Sequence, residues 1–139
     1  MENYIHKVNY YETDKMGITH HSNYIRWMEE ARIFFLDQIG YGYAKLEKDG
    51  IMSPVIGVEC DYKLSTTFDD LIEIKVEIEE FKGVKLVLKY TMTKKDTNEL
   101  VLVGKTKHCF VNTEGKPIIL KKVFPELDKK FKELLENNK

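Results

Sequence analysis

The stretch Ser22-Asn23-Tyr24-Ile25-Arg26-Trp27-Met28-Glu29-Glu30-Ala31-Arg32-Ile33-Phe34-Phe35-Leu36-Asp37-Gln38-Ile39 decides the fold. Tyr24, Trp27, Met28, Ala31, Phe34, Phe35 and Ile39 recur three and four apart, which puts them on one face of a helix. Ser22 or Asn23 can cap its start through a side-chain oxygen, and Gly40 and Gly42 end it. The stripe is broad and carries large aromatic rings, and in a chain of 139 residues only a sheet could cover that much apolar area. The helix is therefore expected in the middle of the core.

The flanking sequence supplies such a sheet. Tyr4 to Tyr11 alternates as a short strand and feeds a loop from Glu12 to Gly17. Beyond the helix, Tyr43 to Gly50 reads as a turn or short helical piece, and Ile56, Val58, Cys60, Tyr62 and Leu64 share one face of a second strand, with Pro54 near its start. Ile72, Ile74, Val76 and Ile78 alternate with Glu73, Lys75, Glu77 and Glu79, so the third strand buries one face and wets the other. Val84 to Met92 and Leu100 to Val111 complete an antiparallel meander through short polar turns. Pro125 suits the first position of a terminal helix that is apolar at Leu127, Phe131, Leu134 and Leu135. The expected plan is α+β: one domain over residues 1–139, a five-stranded antiparallel sheet wrapped around a long central helix, plus a C-terminal helix. Such a sheet has two edges, and a long edge strand offers a second subunit a place to pair.

Composition narrows the function. The chain has 22 basic and 23 acidic side chains, a net charge of −1, which argues against a nucleic-acid partner needing a basic excess. No apolar run approaches the ~20 residues of a membrane span. The segment Met1 to Lys7 has neither the basic start nor the apolar stretch of a signal peptide, so an unprocessed, cytoplasmic chain is expected. Cys60 and Cys109, both in apolar segments, read as reduced core thiols.

Chemistry-bearing residues crowd into Tyr10-Tyr11-Glu12-Thr13-Asp14-Lys15-Met16-Gly17-Ile18-Thr19-His20-His21-Ser22-Asn23-Tyr24, between the first strand and the helix. A helix start directs unpaired amides outward with the positive end of the helix dipole behind them, so it can stabilise an oxyanion. Asp14 beside it can act as general base or nucleophile, or can simply hold the turn, since Asp, Gly, Ser and Asn are ordinary residues of a strand-to-helix loop. Adjacent His20 and His21 lack metal-ligand spacing, so no metal is expected, and His6 and His108 read as structural strand residues. Of Glu29 and Glu30, one is expected to pair with Arg26 or Arg32 and the other to be solvated. Lys85, Lys89, Lys105 and Lys107 read as a solvated sheet face.

The run Tyr-x-x-Thr-Asp14-x-Met-Gly17-x-x-His-His21-x-Asn23-Tyr24, followed by Trp27-Met28-Glu29-Glu30-Ala31-Arg32, resembles the motif of the 4-hydroxybenzoyl-CoA thioesterase and Tol-Pal-associated acyl-CoA thioesterase family of hot dog folds. A looser likeness at Tyr62-Lys63-Leu64 and Phe68-Asp69-Asp70-Leu71-Ile72 extends it over nearly the whole chain.

The resemblance implies an acyl-CoA thioesterase with a catalytic carboxylate at Asp14 and an oxyanion contact from the backbone amide of His21, whose ring could orient Asp14 or a water. It places Gly17 where the loop approaches substrate and makes Asn23 and Tyr24 shape the helix start and the substrate pocket. It implies a homodimer or homotetramer with sites at subunit boundaries, and no cofactor beyond the coenzyme A of the substrate. An acyl carrier protein thioesterase would use the same residues, and a non-catalytic acyl-CoA binding module is the reading from another class.

Overall fold

The computed structural model describes residues 1–138. The apolar stripe forms α1, Ser22–Gln38, with Trp27, Met28 and Ala31 fully buried and Tyr24, Phe35 and Leu36 nearly so. Around it lie β1 (Tyr4–Lys7), β2 (Val55–Tyr62), β3 (Leu71–Lys82), β4 (Lys85–Lys94) and β5 (Leu100–Cys109), all paired antiparallel in the order β1-β3-β4-β5-β2. The expected α+β plan of a five-stranded sheet wrapping a central helix is what the chain adopts.

Ile72, Ile74 and Ile78 of β3, Leu88, Tyr90 and Met92 of β4 and Leu102 of β5 pack into the same core as α1. A short helix, α2 (Tyr43–Lys48), plugs the end of the core with Leu46. After a single turn, α3 (Leu120–Val123), Pro125 opens α4 (Pro125–Asn137) at its first position, as expected. Leu127 and Phe131 of α4 are buried, and Phe131 meets Phe81 and Phe110 with ring centroids 5.3 and 6.1 Å away.

Three local features differ from the sequence reading. β1 stops at Lys7 instead of running to Tyr11, because the Glu12 side chain folds back onto the Asn9 N–H at 2.8 Å and closes Tyr10–Glu12 into a 3-10 turn. Neither Ser22 nor Asn23 caps α1: His21 occupies the capping position without a side-chain bond, and the Asn23 amide is drawn back into the loop. β2 lies at the far edge beside β5, so residues 63–70 form a crossover past the start of α1 to reach β3. Among the described residues no helix is long and apolar enough to cross a membrane.

Candidate active site at the start of the central helix

Asp14 sits on a tight loop closed by a bridge between Thr13 and Thr19. Its backbone N–H donates to Ile18 O at 2.9 Å, its C=O accepts from Gly17 N–H at 3.0 Å, and its Oδ1 accepts from Met16 N–H at 2.8 Å. Asp at the first position and Gly at the fourth is ordinary turn chemistry, and the φ of +78° at Gly17 needs glycine. The turn reading of Asp14 and the catalytic one are thus compatible, since one carboxylate oxygen holds the loop and the other is not spent on it.

Glu12 anchors this loop to the core. Buried at 5 % exposure, its carboxylate accepts from the Trp27 indole at 2.6 Å and from Asn9 N–H at 2.8 Å, and lies 2.8 Å from His6 Nε2. Its backbone C=O accepts from His20 N–H at 2.8 Å and from the Asn23 amide at 2.9 Å. Burial pushes the Glu12 carboxyl up, but the Asn9 N–H, the Trp27 indole and His6 together hold it below the usual carboxylate range. Sequence reading passed over Glu12 as a loop residue. The available signal was Asn9-x-x-Glu12, the spacing of a reciprocal cap.

From this anchor the chain enters α1 at His21. Asn23 N–H donates to His20 O and Tyr24 N–H to His21 O, whereas the His21 N–H donates to no acceptor among the described residues. Beside it opens a cavity of about 290 Å³ lined by Ile18, Thr19, His21, Tyr24, Tyr62 and Ser65, among others. The Tyr24 hydroxyl is within 3.0 Å of Thr66 Oγ1, which is itself 2.6 Å from Thr19 Oγ1, so the crossover is pinned to the loop and the helix together. The Tyr24 and Tyr62 rings meet at 5.5 Å, and burial raises the Tyr62 phenol above its ordinary value.

Of the residues expected at the site, His21 and Tyr24 line this cavity. Asp14 and Gly17 stand on the adjoining loop, and Asn23 points away from it, into the Glu12 anchor. The His21 ring stacks on His20 at 4.3 Å, with no hydrogen bond to Asp14 among the described residues. The two helix glutamates separate: Glu30 binds the Tyr4 hydroxyl at 2.6 Å and lies 3.3 Å from His6 Nδ1, on the β1 side. Arg32, expected as a partner for a glutamate, turns inward to Tyr43 and Tyr90 instead. Among the described residues no group of three His, Cys, Asp or Glu side chains could hold a metal ion.

A profile of the Thioesterase-like superfamily matches residues 8–135, which takes in the loop, α1, the whole sheet beyond β1 and nearly all of α4. This chain belongs to the Thioesterase-like superfamily. The structure of this superfamily member superposes on that of the DHNA-CoA thioesterase from Staphylococcus aureus with a TM-score of 0.93 and 31 % identity, over 99 % of this chain and 92 % of the other. BH1999, a gentisyl-coenzyme A thioesterase, gives 0.80 and 25 %, over 89 % of this chain and 99 % of the other. The acyl-CoA thioesterase YbgC of Helicobacter pylori (strain ATCC 700392 / 26695) is 27 % identical over 130 residues, covering 87 % of this chain and 95 % of its own. The wrapped sheet is accordingly the hot dog fold.

Proposed function

We propose that this chain hydrolyses acyl-CoA thioesters at the junction of the Asp14 loop and the start of α1. The observation that carries the reading is the unengaged His21 N–H at the positive end of a 17-residue helix, beside a cavity that Ile18 and Thr19 of the Asp14 loop help to line. The thioester carbonyl oxygen accepts from that N–H. Asp14 takes a proton from water as the water oxygen bonds to the carbonyl carbon, and the electron pair of the C=O bond moves to the oxygen held by His21. When the intermediate collapses, the C–S bond breaks, the coenzyme A thiolate recovers the proton from Asp14, and the free acid leaves. Direct attack by Asp14 would pass instead through an anhydride that water then opens, with the same oxyanion contact.

Gly17 allows the loop to lie close to the substrate, Tyr24 walls the pocket, and Asn23 acts through the loop it ties down. The motif from Asp14 to Arg32 and the YbgC relative together favour the 4-hydroxybenzoyl-CoA and Tol-Pal-associated branch of the superfamily. The working unit in this reading is a cytoplasmic homodimer. β2 is an edge strand whose helix-facing row leaves Val55, Val58 and Tyr62 at 44, 40 and 48 % exposure, an apolar strip that a two-fold copy pairing β2 with β2 would cover.

The test is thiol release from short-chain, long-chain and aromatic acyl-CoAs by the wild type and Asp14→Asn. Asparagine keeps the oxygen that accepts from Met16 N–H, so the loop persists while the base is lost. A loss of at least about a hundredfold in kcat at unchanged Tm supports the reading. Equal rates, or no hydrolysis by either protein, removes it.

A further inference from the structure

The crossover between β2 and β3 is tied to the sheet at both of its ends. Upstream, the Lys63 and Leu64 N–H groups donate to Val101 O at 2.9 and 3.2 Å. Downstream, Val8 N–H donates to Asp70 O at 2.9 Å, Asp69 N–H to Val8 O at 3.0 Å, and Thr67 N–H to Asp70 Oδ2 at 2.9 Å. Between these anchors lies Thr66, which is fully buried. Its C=O accepts from Thr19 N–H at 2.8 Å, which joins the crossover to the residue that closes the Asp14 loop.

The Thr66 hydroxyl makes two further contacts, 2.6 Å to Thr19 Oγ1 and 3.0 Å to the Tyr24 hydroxyl, and Thr19 Oγ1 also lies 3.3 Å from Thr66 O. One placement of hydrogens makes all of these bonds together. The carbonyl can only accept, so Thr19 donates to Thr66 O, Thr66 donates to Thr19 Oγ1, and Tyr24 donates to Thr66 Oγ1. Thr19 and Tyr24 are themselves 5 and 4 % exposed. Taking hydroxyls out of water costs free energy that their mutual bonds do little more than offset. Thr19→Val, Thr66→Val and Tyr24→Phe together would fill much the same space without that cost, so packing alone does not call for the hydroxyls.

What the hydroxyls add is direction. Thr19 and Tyr24 bracket the turn by which the chain enters α1, and the His21 N–H lies within that turn. On one side Glu12 C=O holds the turn through His20 N–H and the Asn23 amide. On the other, Thr66 grips both of its ends from the anchored crossover. Thr19, His21 and Tyr24 line the same cavity as Ser65, whereas Thr66 stands behind that wall.

We propose that Thr66 is a positioning residue of the reaction: its hydroxyl fixes the turn so that the His21 N–H points at the thioester oxygen and the Asp14 loop keeps its distance from the carbonyl carbon. The assignment rests on the thioesterase reading. Misplacing a reacting group by about 1 Å costs on the order of a hundredfold in rate, so a hydroxyl that touches no substrate atom can still control kcat.

The test is steady-state hydrolysis of the acyl-CoA that the wild type cleaves best, by wild type, Thr66→Val, Thr66→Ser, Tyr24→Phe and the double variant Thr66→Val/Tyr24→Phe. Amide hydrogen exchange is measured on the same proteins. Valine keeps the shape and loses both hydroxyl bonds, and serine keeps the donor and the acceptor. Thr66→Val is expected to lose about tenfold or more in kcat with KM within about twofold, and Thr66→Ser to recover most of that loss. The double variant should be slower than Thr66→Val by no more than about twofold, because the two hydroxyls act through one bond. The Asp14 and His20 amides, bonded to Ile18 O and Glu12 O, should exchange about tenfold faster in Thr66→Val and slow again in Thr66→Ser.

A structural role alone would lower Tm without moving kcat in the folded protein. That outcome overturns the assignment, as do a loss carried by KM alone, additive losses in the double variant, or a serine that restores Tm but not kcat. If Thr66→Val does not fold, Tyr24→Phe decides: it opens the same bond from the other end and must lower kcat at constant KM, and an unchanged kcat ends the proposal. If the wild type hydrolyses no acyl-CoA, the thioesterase reading falls by itself, and Thr66 is judged by exchange. Faster Asp14 and His20 amides in Thr66→Val that slow again in Thr66→Ser then sustain it as the residue that positions the turn, and unchanged exchange removes it.

Discussion

The Trp27 indole N–H donates to Glu12 Oε2 at 2.6 Å, and this one bond ties the central helix to the loop that carries Asp14. Both partners are buried, and His6 lies against both, with its ring centroid 4.5 Å from that of Trp27. The candidate active-site loop is therefore fastened to the core through a carboxylate two residues from Asp14.

Removing that carboxylate leaves a buried indole N–H and the Asn9 N–H without acceptors, so Glu12→Ala is expected to cost about 3 kcal/mol. Glu12→Gln keeps an acceptor and should cost less. Because the folded state holds this carboxyl below its unfolded value, its contribution is fully present above about pH 4.5 and is lost as pH falls through the folded pKa. Urea titrations of wild type and Glu12→Gln across pH 3 to 6 check both points: the wild type should lose stability more steeply in acid. Steady-state thioester hydrolysis by Glu12→Gln should fall in kcat with little change in KM, since the loop shifts while the pocket stays.

Gly17 tests the loop from its tip. A Cβ placed there meets nothing within 4 Å, so Gly17→Ala isolates the backbone cost of φ +78°, about 1 kcal/mol. Asparagine, which tolerates this region, should recover part of it. The melting temperatures should rank Gly17 above Asn above Ala, and equal values would mean the turn adopts another conformation at no cost.

His108 gives a separate pH window. Its imidazole is buried and close to Arg32, so it protonates only near pH 4 when folded and near 6.5 when unfolded. The unfolded chain binds the extra proton between those values, so stability is unaffected above about pH 6.5, declines as pH drops toward 4, and loses roughly 3 kcal/mol in all. Replacing His108 by Gln removes the titrating group, and the unfolding free energy between pH 6.5 and 4.5 should flatten. A wild-type curve already flat there would mean that His108 is not buried beside a cation.

These residues also show what the sequence could convey. Tyr24, Trp27, Met28 and Ala31 announced a core helix because burial on one face leaves a period, and Ile72, Ile74 and Ile78 announced a strand for the same reason. Asp14, Gly17 and His21 were legible as a helix-start cluster, local in the chain. Glu12 and Arg32 were not, because their partners Trp27 and Tyr90 are 15 and 58 residues away and no local pattern pairs them. Position of β2 at the sheet edge was equally hidden: its alternation is that of a half-buried strand, and only the sheet order shows that the apolar row is left uncovered.

That uncovered row supports the last prediction. Val55, Val58 and Tyr62 lie opposite the buried His108, Thr106 and Leu102 of β5, on the helix side of the sheet, with Ile56 taken out of that row by a bulge, yet they remain 44, 40 and 48 % exposed. The outer edge of β2 has no strand beside it, so a second β2 can supply both the hydrogen bonds and the apolar cover. Sedimentation of the wild type at micromolar concentration is expected to give a dimer or a dimer of dimers. Val58→Arg places a charge in the middle of the strip and should yield a folded monomer, since Val58 makes no part of the core cluster of its own chain. On the proposed reading, in which the sites lie at subunit boundaries, the monomer should also lose thioesterase activity by at least about a hundredfold while its circular dichroism is unchanged. A monomeric wild type, or a fully active Val58→Arg monomer, would place the whole site within one chain and require the acyl group to lie against Tyr24 and Tyr62 alone.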